Sequence, residues 1–352
     1  MAESPSGAAK QPKSEKQRIP ASVGYGRSKG TALLDNLQAV QANVEDSAAW
    51  SSLPSALQQA RTLLGQLTEL EKLQPALLPV DAPVRVLLWF ARLSASDSGV
   101  DMEGSGLSIG SAGPFKGLGV FCAKELPPGK AVLTVPRSTM LTFQSVAESP
   151  LGQAAAADPV LQSMPMFPLA LFLLTEVAAC NATGLHADEA VAAIEVAGQA
   201  RVPEGWAASG FTRVLDRRDG CATVEVQGAA APVCVQVSNL TQGSAWRPFL
   251  ALLPWTSSNV LFWNWHRFHQ LAQGGGAGAL LLQYSLKFLR NVVKMYSALY
   301  SKHVLEARSK PTLPGLNSET FTWAGFKWAL SMVMSRQNMV PCTHGPGQEL
   351  AL

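Results

Sequence analysis

The chain has 352 residues, of which 47% are apolar and 15% are charged, and its formal net charge is +3. That length and apolar content are enough for one elaborated domain, or for two domains, with a sizeable core. A net charge this small gives no electrostatic argument for nucleic-acid binding, so we expect no nucleic-acid partner.

Five cysteines are scattered along the chain without a CxxC pair. The closely spaced His266 and His269 have no cysteine near them in sequence, so no metal site is expected. The same spacing argues against a disulfide framework and favours reduced thiols. Cys221 and Cys234 are the closest pair, and a disulfide across a hairpin stays open for them.

The most apolar run, residues 166–180, predicts a buried helix with Pro168 in its first turn. It is too short to span a bilayer, which needs about 20 residues, and Glu176 interrupts it, so no membrane association is expected. The N-terminus lacks the apolar core of a secretory signal. Its basic, Ser- and Ala-rich composition predicts a disordered tail rather than a transit peptide, because Glu3 and Glu15 are acidic.

The first third of the chain predicts a tail, a helical region and then short strands. Residues 1–31 form the disordered basic tail, and residues 32–84 form a helical region with leucines at helical spacing. These helices are expected to pack against the body, with partner binding as the alternative. Residues 79–83 read as a linker and residues 85–93 as a short apolar helix.

A Ser- and Gly-rich turn region at residues 94–113 precedes a change of period from helix to strand. Residues 119–123 and 131–135 predict two short strands, joined by a Pro-Pro-Gly turn at residues 127–129. Pro136 and Arg137 should end the second strand.

The middle of the chain consists of two parts with different composition, residues 181–243 and residues 244–316. Residues 181–243 predict an irregular insertion with a loop or small hairpin, in which residues 222–226 and 233–237 are β-like. The aromatic-rich residues 244–316 predict helices, with a flexible break at the glycines of residues 274–278. A long helix is expected over residues 279–308.

A strongly patterned helix is predicted within residues 321–341. Thr322 is placed to cap its N-terminus, and Phe321 and Phe326 have the N′ and N4 spacing of a hydrophobic staple. Its expected buried face consists of Trp323, Phe326, Leu330 and Val333.

The end of that helix carries a polar triplet, Arg336-Gln337-Asn338, with Pro341 expected to end the helix. Composition and spacing alone assign Arg336 and Asn338 only structural roles at the helix end. An arginine is favoured at a helix C-terminus by the helix dipole, and an asparagine is common as a C-terminal cap.

Three segments occur in an order typical of one enzyme family. The first is Phe-Lys-Gly-Leu-Gly-Val-Phe at residues 115–121, with Val-Pro-Arg at residues 135–137. The second is Ser-Ala-Trp-Arg-Pro-Phe at residues 244–249, which leads to Leu-Pro at residues 253–254. The third is the helix with the Arg-Gln-Asn triplet. Together they resemble the SET-domain methyltransferases, on the branch of the Rubisco large-subunit methyltransferase and the actin-histidine methyltransferase, and the third is more similar to the actin-histidine type.

The resemblance implies an α+β fold with a β-rich SET core, a helical insert and N-terminal helices. Residues 85–180 would be the N-terminal part of the SET domain, residues 181–243 the insertion, residues 244–316 the helical insert, and residues 317–352 the start of the C-terminal part. The family continues into an Asn-His motif and a catalytic-site tyrosine. Neither follows the helix here, so we expect a C-terminally truncated SET domain, a fragment or a degenerate relative.

The resemblance also implies the cofactor S-adenosyl-L-methionine and its contacts. The loop Lys116, Gly117, Leu118 and Gly119 would lie along the cofactor, with the glycines allowing close backbone approach. Arg336 would bind the cofactor carboxylate. Asn338 would line the acceptor pocket and Gln337 would contact the substrate backbone. No catalytic side chain is assigned.

Three functions remain open at this point. The complete protein would be an S-adenosylmethionine-dependent protein-histidine methyltransferase acting on actin, a protein-lysine methyltransferase, or an inactive SET-like binding module. We expect a cytoplasmic monomer, with nuclear and plastid locations left open. The isolated 352-residue chain is expected to bind the cofactor weakly or not at all.

Overall fold

The protein, as described by a computed structural model, is mostly helical with a few short strands, in agreement with the α+β class. The strands of the described residues lie in three separate small antiparallel sheets, so the β-rich SET core stays a prediction. None of the described helices is both long and apolar enough to cross a membrane. The structure describes residues 22–45, 52–76, 106–111, 118–122, 124–137, 140–162, 164–182, 211–218, 221–226, 233–236, 243–307, 312–342 and 348–352.

Two long helices begin the described chain, α1 at Ser22–Glu45 and α2 at Leu53–Leu73. They pack against each other, as the leucine spacing of residues 32–84 predicts. Helix α1 begins inside the stretch that composition assigns to a disordered tail. The predicted linker at residues 79–83 and the short helix at residues 85–93 lie outside the described residues.

The first sheet is a hairpin-like pair of β1, Leu107–Ser111, and β2, Leu118–Cys122, in which Gly110 lies opposite Gly119. Strand β2 confirms the predicted strand at residues 119–123. Its partner β1 comes from the Ser- and Gly-rich region that was interpreted as turn. Leu107 and Ile109 alternate with Ser and Gly in β1, a period-2 signal too short to stand out within the surrounding Ser- and Gly-rich sequence.

The predicted second strand at residues 131–135 is wrong, because these residues have no regular secondary structure. The turn before it is confirmed, since Gly129 has a φ of +77°. Leu133 and Val135 are 38% and 42% exposed. The apolar alternation of this segment is therefore not matched by pairing with any strand among the described residues.

Four helices follow: α3 at Phe143–Glu148, α4 at Pro150–Ala155, α5 at Pro159–Gln162 and α6 at Met166–Ala182. The first two are capped by the hydroxyls of Thr142 and Ser149, which accept hydrogen bonds from backbone N–H groups. Helix α6 is buried along most of its length and confirms the predicted apolar helix, with Pro168 in its first turn.

The second sheet orders β3, Phe211–Arg218, β4, Cys221–Val226, and β5, Val233–Gln236, as neighbours. Strands β4 and β5 confirm the predicted β-like runs, whereas β3 was not predicted. Cys221 lies opposite Gln236, and Cys234 lies opposite Thr223. The two cysteines are therefore offset in the ladder and are not cross-strand partners.

A side-chain hydrogen bond joins the two ends of the segment that contains this sheet. Helix α6 ends at Ala182, and the described chain resumes at residue 243. There the hydroxyl of Ser244 donates a hydrogen bond to the carboxylate of Glu176, which lies on α6. The contact places both ends of the intervening segment beside the same helix.

The helical region after it contains α7 at Arg247–Leu252, a 3-10 turn at Val260–Phe262, α8 at Trp265–Gln273 and α9 at Gly275–Tyr300. Helix α9 continues into a π-helical turn, Ser301–Leu305. The long helix expected over residues 279–308 is thus confirmed, with an earlier start.

The glycines before that helix do not form a flexible break. Only Gly274 separates α8 from α9, and Gly275 turns the chain with a φ of +71°. Gly278 lies where a Cβ atom would be 2.2 Å from the carbonyl oxygen of Leu271. The cluster therefore allows a tight helical hairpin, because only glycine lets the two helices approach this closely.

Helix α10 spans Trp323–Arg336 and packs against α6 and α2 in the core. The chain then enters strand β6, Asn338–Pro341, which pairs with β7, Gln348–Ala351. Pro341 was expected to end the helix, but it is the last residue of β6. The helix ends earlier because Gln337 has extended geometry, with a ψ of 138°, and Asn338 begins a strand pairing.

Candidate active site

Helix α10 holds the candidate site on a firmly fixed element. The hydroxyl of Thr322 accepts a hydrogen bond from the Gly325 N–H at 3.2 Å, which confirms the predicted cap. The rings of Phe321 and Phe326 meet edge to face, with centroids 5.6 Å apart, which confirms the staple. The four residues of the predicted apolar face are buried. A helix capped and buried in this way gives its C-terminal end a defined position.

Arg336 is the last helical residue, and its side chain is half-buried. Its Nη1 donates to the hydroxyl of Ser335 at 2.7 Å and contacts the sulfur of Met332 at 3.4 Å. No carboxylate of the described residues pairs with it, and burial lowers the pKa of its guanidinium. The site therefore holds a partly desolvated cation that can accept an anionic group.

Gln337 and Asn338 differ in what their amides contact. The Nδ2 of Asn338 donates to the carbonyl oxygen of Arg336 at 3.1 Å, so this exposed side chain caps the helix end. The Oε1 of Gln337 is buried and accepts no hydrogen bond within the described part of the chain. An unsatisfied buried acceptor is costly, and a donor from a bound peptide would satisfy it.

Among the described residues, parts of the first and second segments that carry the family resemblance contact α10 or β6. The indole N–H of Trp328 donates to the carbonyl oxygen of Pro254 at 3.0 Å, which joins the second segment to the helix. A guanidinium nitrogen of Arg137, from the Val-Pro-Arg of the first segment, donates to the carbonyl oxygen of Pro341. Arg137 is thus brought to the strand that follows the triplet, whereas Pro254 contacts the middle of α10.

Glu349 on β7 joins this assembly and was not predicted to be a site residue. Its carboxylate forms an ion pair with Arg137 and accepts a hydrogen bond from the N–H of Gln144 at 2.9 Å, in the first turn of α3. Backbone hydrogen bonds between Leu141 and Leu352 extend β7 on its other edge. No sequence pattern around Glu349 indicates this role, because its partners Arg137 and Gln144 are distant in the chain.

The glycine loop is described only in its second half. Leu118 and Gly119 lie on β2, where Gly119 is opposite Gly110. Lys116 and Gly117 lie outside the described residues. The placement of this loop against Arg336 therefore stays a prediction.

The described residues contain no cluster of potential metal ligands, and the Cys180 thiol is buried. No group of three or more His, Cys, Asp or Glu side chains comes together there. Burial raises the pKa of Cys180 to about 11, so this thiol is protonated at neutral pH.

No family model matches the chain. Over 260 residues it is 23% identical to the actin-histidine N-methyltransferase of Mus musculus and 22% identical to that of Homo sapiens. Over 268 residues it is 22% identical to the actin-histidine N-methyltransferase of Danio rerio. The chain is a distant relative of these methyltransferases.

The similarity covers most of this chain but a minority of each relative. It includes 73% of the chain and 31% of the Mus musculus protein, and 76% of the chain and 32% of the Danio rerio protein. The chain spans about a third of the length of the methyltransferases it matches. The similarity agrees with the methyltransferase resemblance of the three segments and leaves the SET domain itself a prediction.

Proposed function

We propose that this chain is part of an S-adenosylmethionine-dependent protein-histidine N-methyltransferase that acts on actin. The observation that carries the proposal is Arg336, a half-buried guanidinium without an acidic partner in the described residues, at the end of the helix that the resemblance assigns to cofactor binding. The similarity to actin-histidine N-methyltransferases supports the same reading.

The charge and burial of Arg336 fit the carboxylate end of the cofactor. S-adenosylmethionine, when bound, supplies an electrophilic methyl group and carries a carboxylate. Arg336 would hold that carboxylate through its guanidinium, which is already partly removed from water. The backbone of Lys116, Gly117, Leu118 and Gly119 would lie along the rest of the molecule. Helix α10 would fix the position of Arg336 relative to the cofactor, because its cap and staple anchor the helix in the core.

The acceptor side would be formed by Asn338 and Gln337. The amide of Asn338 is exposed, and one of its N–H groups is used on the helix end, which leaves its oxygen to accept the N–H of an imidazole. A neutral imidazole has a lone pair near pH 7, whereas a lysine must first lose a proton. Gln337 would accept a backbone N–H of the substrate at its unsatisfied Oε1.

The test is methyl transfer to unmethylated actin by the protein encoded by the full transcript, with S-adenosylmethionine labelled in its methyl group. We expect label on a histidine, located by mass spectrometry of actin peptides, and loss of transfer in the Arg336→Ala variant. Label on lysine would replace the histidine assignment by the lysine methyltransferase alternative. Absence of transfer to any protein, with specific actin binding retained, would favour the non-catalytic binding module.

A further inference from the structure

A cleft of about 450 Å³ lies at the opposite end of α10 from the triplet. Its walls are α2 on one side and the 3-10 turn with the start of α8 on the other, and Trp323 and Lys327 of α10 contribute to its lining. Lys327 precedes Arg336 by about 14 Å along the helix axis at 1.5 Å per residue. The cleft is thus separate from the candidate active site.

Gly65 in the interior of α2 gives the cleft part of its open volume. A Cβ atom at this position would meet nothing within 4 Å, so no packing contact requires a glycine. Glycine within a helix costs about 1 kcal/mol relative to alanine. The helix therefore carries a destabilising residue that its own packing does not explain, at a position that lines a cleft.

Four of the fourteen residues that line the cleft are aromatic. Phe262, Trp263 and Trp265 come from the 3-10 turn and α8, and Trp323 comes from α10. Trp323 is buried, whereas Phe262, Trp263 and Trp265 are partly exposed and offer apolar ring surface of the kind that stacks on a planar ligand. A volume of about 450 Å³ lies within the range of small-molecule sites.

The charges of the cleft favour an anion. Lys327 pairs with Glu71, with Nζ and Oε1 2.6 Å apart, and lies over the ring of Phe262 at 5.0 Å. Arg61 lies over the ring of Trp265, 6.0 Å from its centroid, and no carboxylate of the described residues pairs with it. Two cations and one carboxylate leave an excess of positive charge beside the aromatic wall.

The geometry points to a binding site for a small planar aromatic carboxylate or sulfonate. Its ring system stacks on Trp263 and Trp265, and its anionic group pairs with Arg61 at the mouth. The space above Gly65 admits the ligand. This site is independent of methyl transfer and goes beyond the proposed function.

The test is calorimetric titration of the 352-residue chain with 2-naphthoate as the probe. We expect one-to-one saturable binding with a dissociation constant of about 0.1 mM, the strength typical of a ligand of this size. The matched probes are 2-naphthalenemethanol, which is neutral, and 2-naphthylmethylamine, which is cationic. The neutral probe should bind more weakly and the cationic probe should not bind.

Four variants test the assigned roles. Gly65→Leu fills the cleft and should abolish binding, whereas Gly65→Ala keeps the space and should bind as the parent does. Arg61→Gln should weaken binding about fivefold to tenfold. Glu71→Gln frees Lys327 from its ion pair and should strengthen binding severalfold, an effect that a merely structural role of the pair would not produce.

The proposal is overturned if 2-naphthoate shows no saturable binding at millimolar concentration. Undiminished binding in Gly65→Leu, or equal binding of the amine, would overturn it as well. Circular dichroism of each variant establishes folding, and Gly65→Ala and Gly65→Leu should both melt at or above the parent temperature because they raise helix propensity. These outcomes do not depend on methyl transfer, so failure here is distinguishable from failure of the proposed function.

Discussion

The side-chain amide of Gln74 donates from Nε2 to the hydroxyl of Tyr296 at 2.7 Å, although the two residues are 222 positions apart. Its Oε1 accepts the backbone N–H of Trp323 at 2.7 Å. The Tyr296 hydroxyl in turn donates to the carbonyl oxygen of Phe321 at 3.3 Å. One buried amide at the end of α2 thus joins α9 to the first turn of α10, the helix that positions the candidate site.

Gln74→Ala should lower the free energy of unfolding by about 2–3 kcal/mol, because it leaves the buried N–H of Trp323 and the Tyr296 hydroxyl without this partner. Urea denaturation followed by tryptophan fluorescence measures the change. The matched control is Gln153→Ala on the exposed face of α4, for which we expect a change within about 0.5 kcal/mol. Equal effects of the two substitutions would contradict the role assigned to Gln74.

Asp158 should make stability depend on pH in the acid range. Burial alone would raise the pKa of this carboxyl, but hydrogen bonds from Lys302, His303 and the backbone of Val160 and Leu161 outweigh it and lower the pKa to about 2 from 3.8. The ionised form stabilises the fold above pH 3.8, and this contribution is lost as the pH falls from 3.8 towards 2.

The corresponding measurement compares the parent with Asp158→Asn by denaturation between pH 2 and pH 6. The parent should be more stable by about 2 kcal/mol near pH 6, and the difference should shrink between pH 4 and pH 2. A difference that stays constant over this range would mean that the carboxyl is not held below its ordinary pKa.

The hairpin of α8 and α9 provides a matched pair of glycines. Gly278→Ala places a Cβ 2.2 Å from the carbonyl oxygen of Leu271, so the helices must separate, with an expected loss of about 2–3 kcal/mol. Gly276→Ala meets nothing within 4 Å and should raise stability by about 0.5–1 kcal/mol through helix propensity. Thermal denaturation of both variants tests the sign difference, and a stabilising Gly278→Ala would refute the close approach.

Arg336→Gln should weaken binding of S-adenosylhomocysteine to the full-length protein by about tenfold to a hundredfold, because a charged hydrogen bond to the cofactor carboxylate is lost. Its effect on stability should be small, since the described contacts of Arg336 are to its own helix. The control is Arg267→Gln on the exposed face of α8, which should leave binding unchanged. Equal affinity of parent and Arg336→Gln would remove Arg336 from the cofactor site.

The features of α10 could be predicted from sequence because they are local. A cap, a staple and an apolar face depend on residues within a few positions of each other, and Thr322, Phe321 and Phe326 behave as their spacing indicates. Of the polar triplet expected at its end, only Arg336 is helical, and Gln337 and Asn338 follow the helix. The assignment of the triplet to a site depended on the family resemblance rather than on the pattern.

The parts that could not be predicted depend on pairing between distant segments. Strand β1 is a five-residue run within Ser- and Gly-rich sequence, and its pairing with β2 rather than its local propensity defines it as a strand. The contact of Arg137 with Pro341 spans 204 positions, and that of Gln74 with Trp323 spans 249. The end of α10 before Pro341 has the same cause, because β6 pairs with β7 and draws the chain out of the helix.

The hydrogen bond of Ser244 to Glu176 has a consequence for how this protein tolerates change. It holds together the two ends of the segment between α6 and α7. The flanking helices should therefore keep their positions when the length of the segment changes. Lengthening a loop whose ends are already held together costs little, about 0.6 kcal/mol for each doubling. The segment should therefore tolerate insertions and deletions, so a fluorescent reporter can be inserted there with little effect on the rest of the fold.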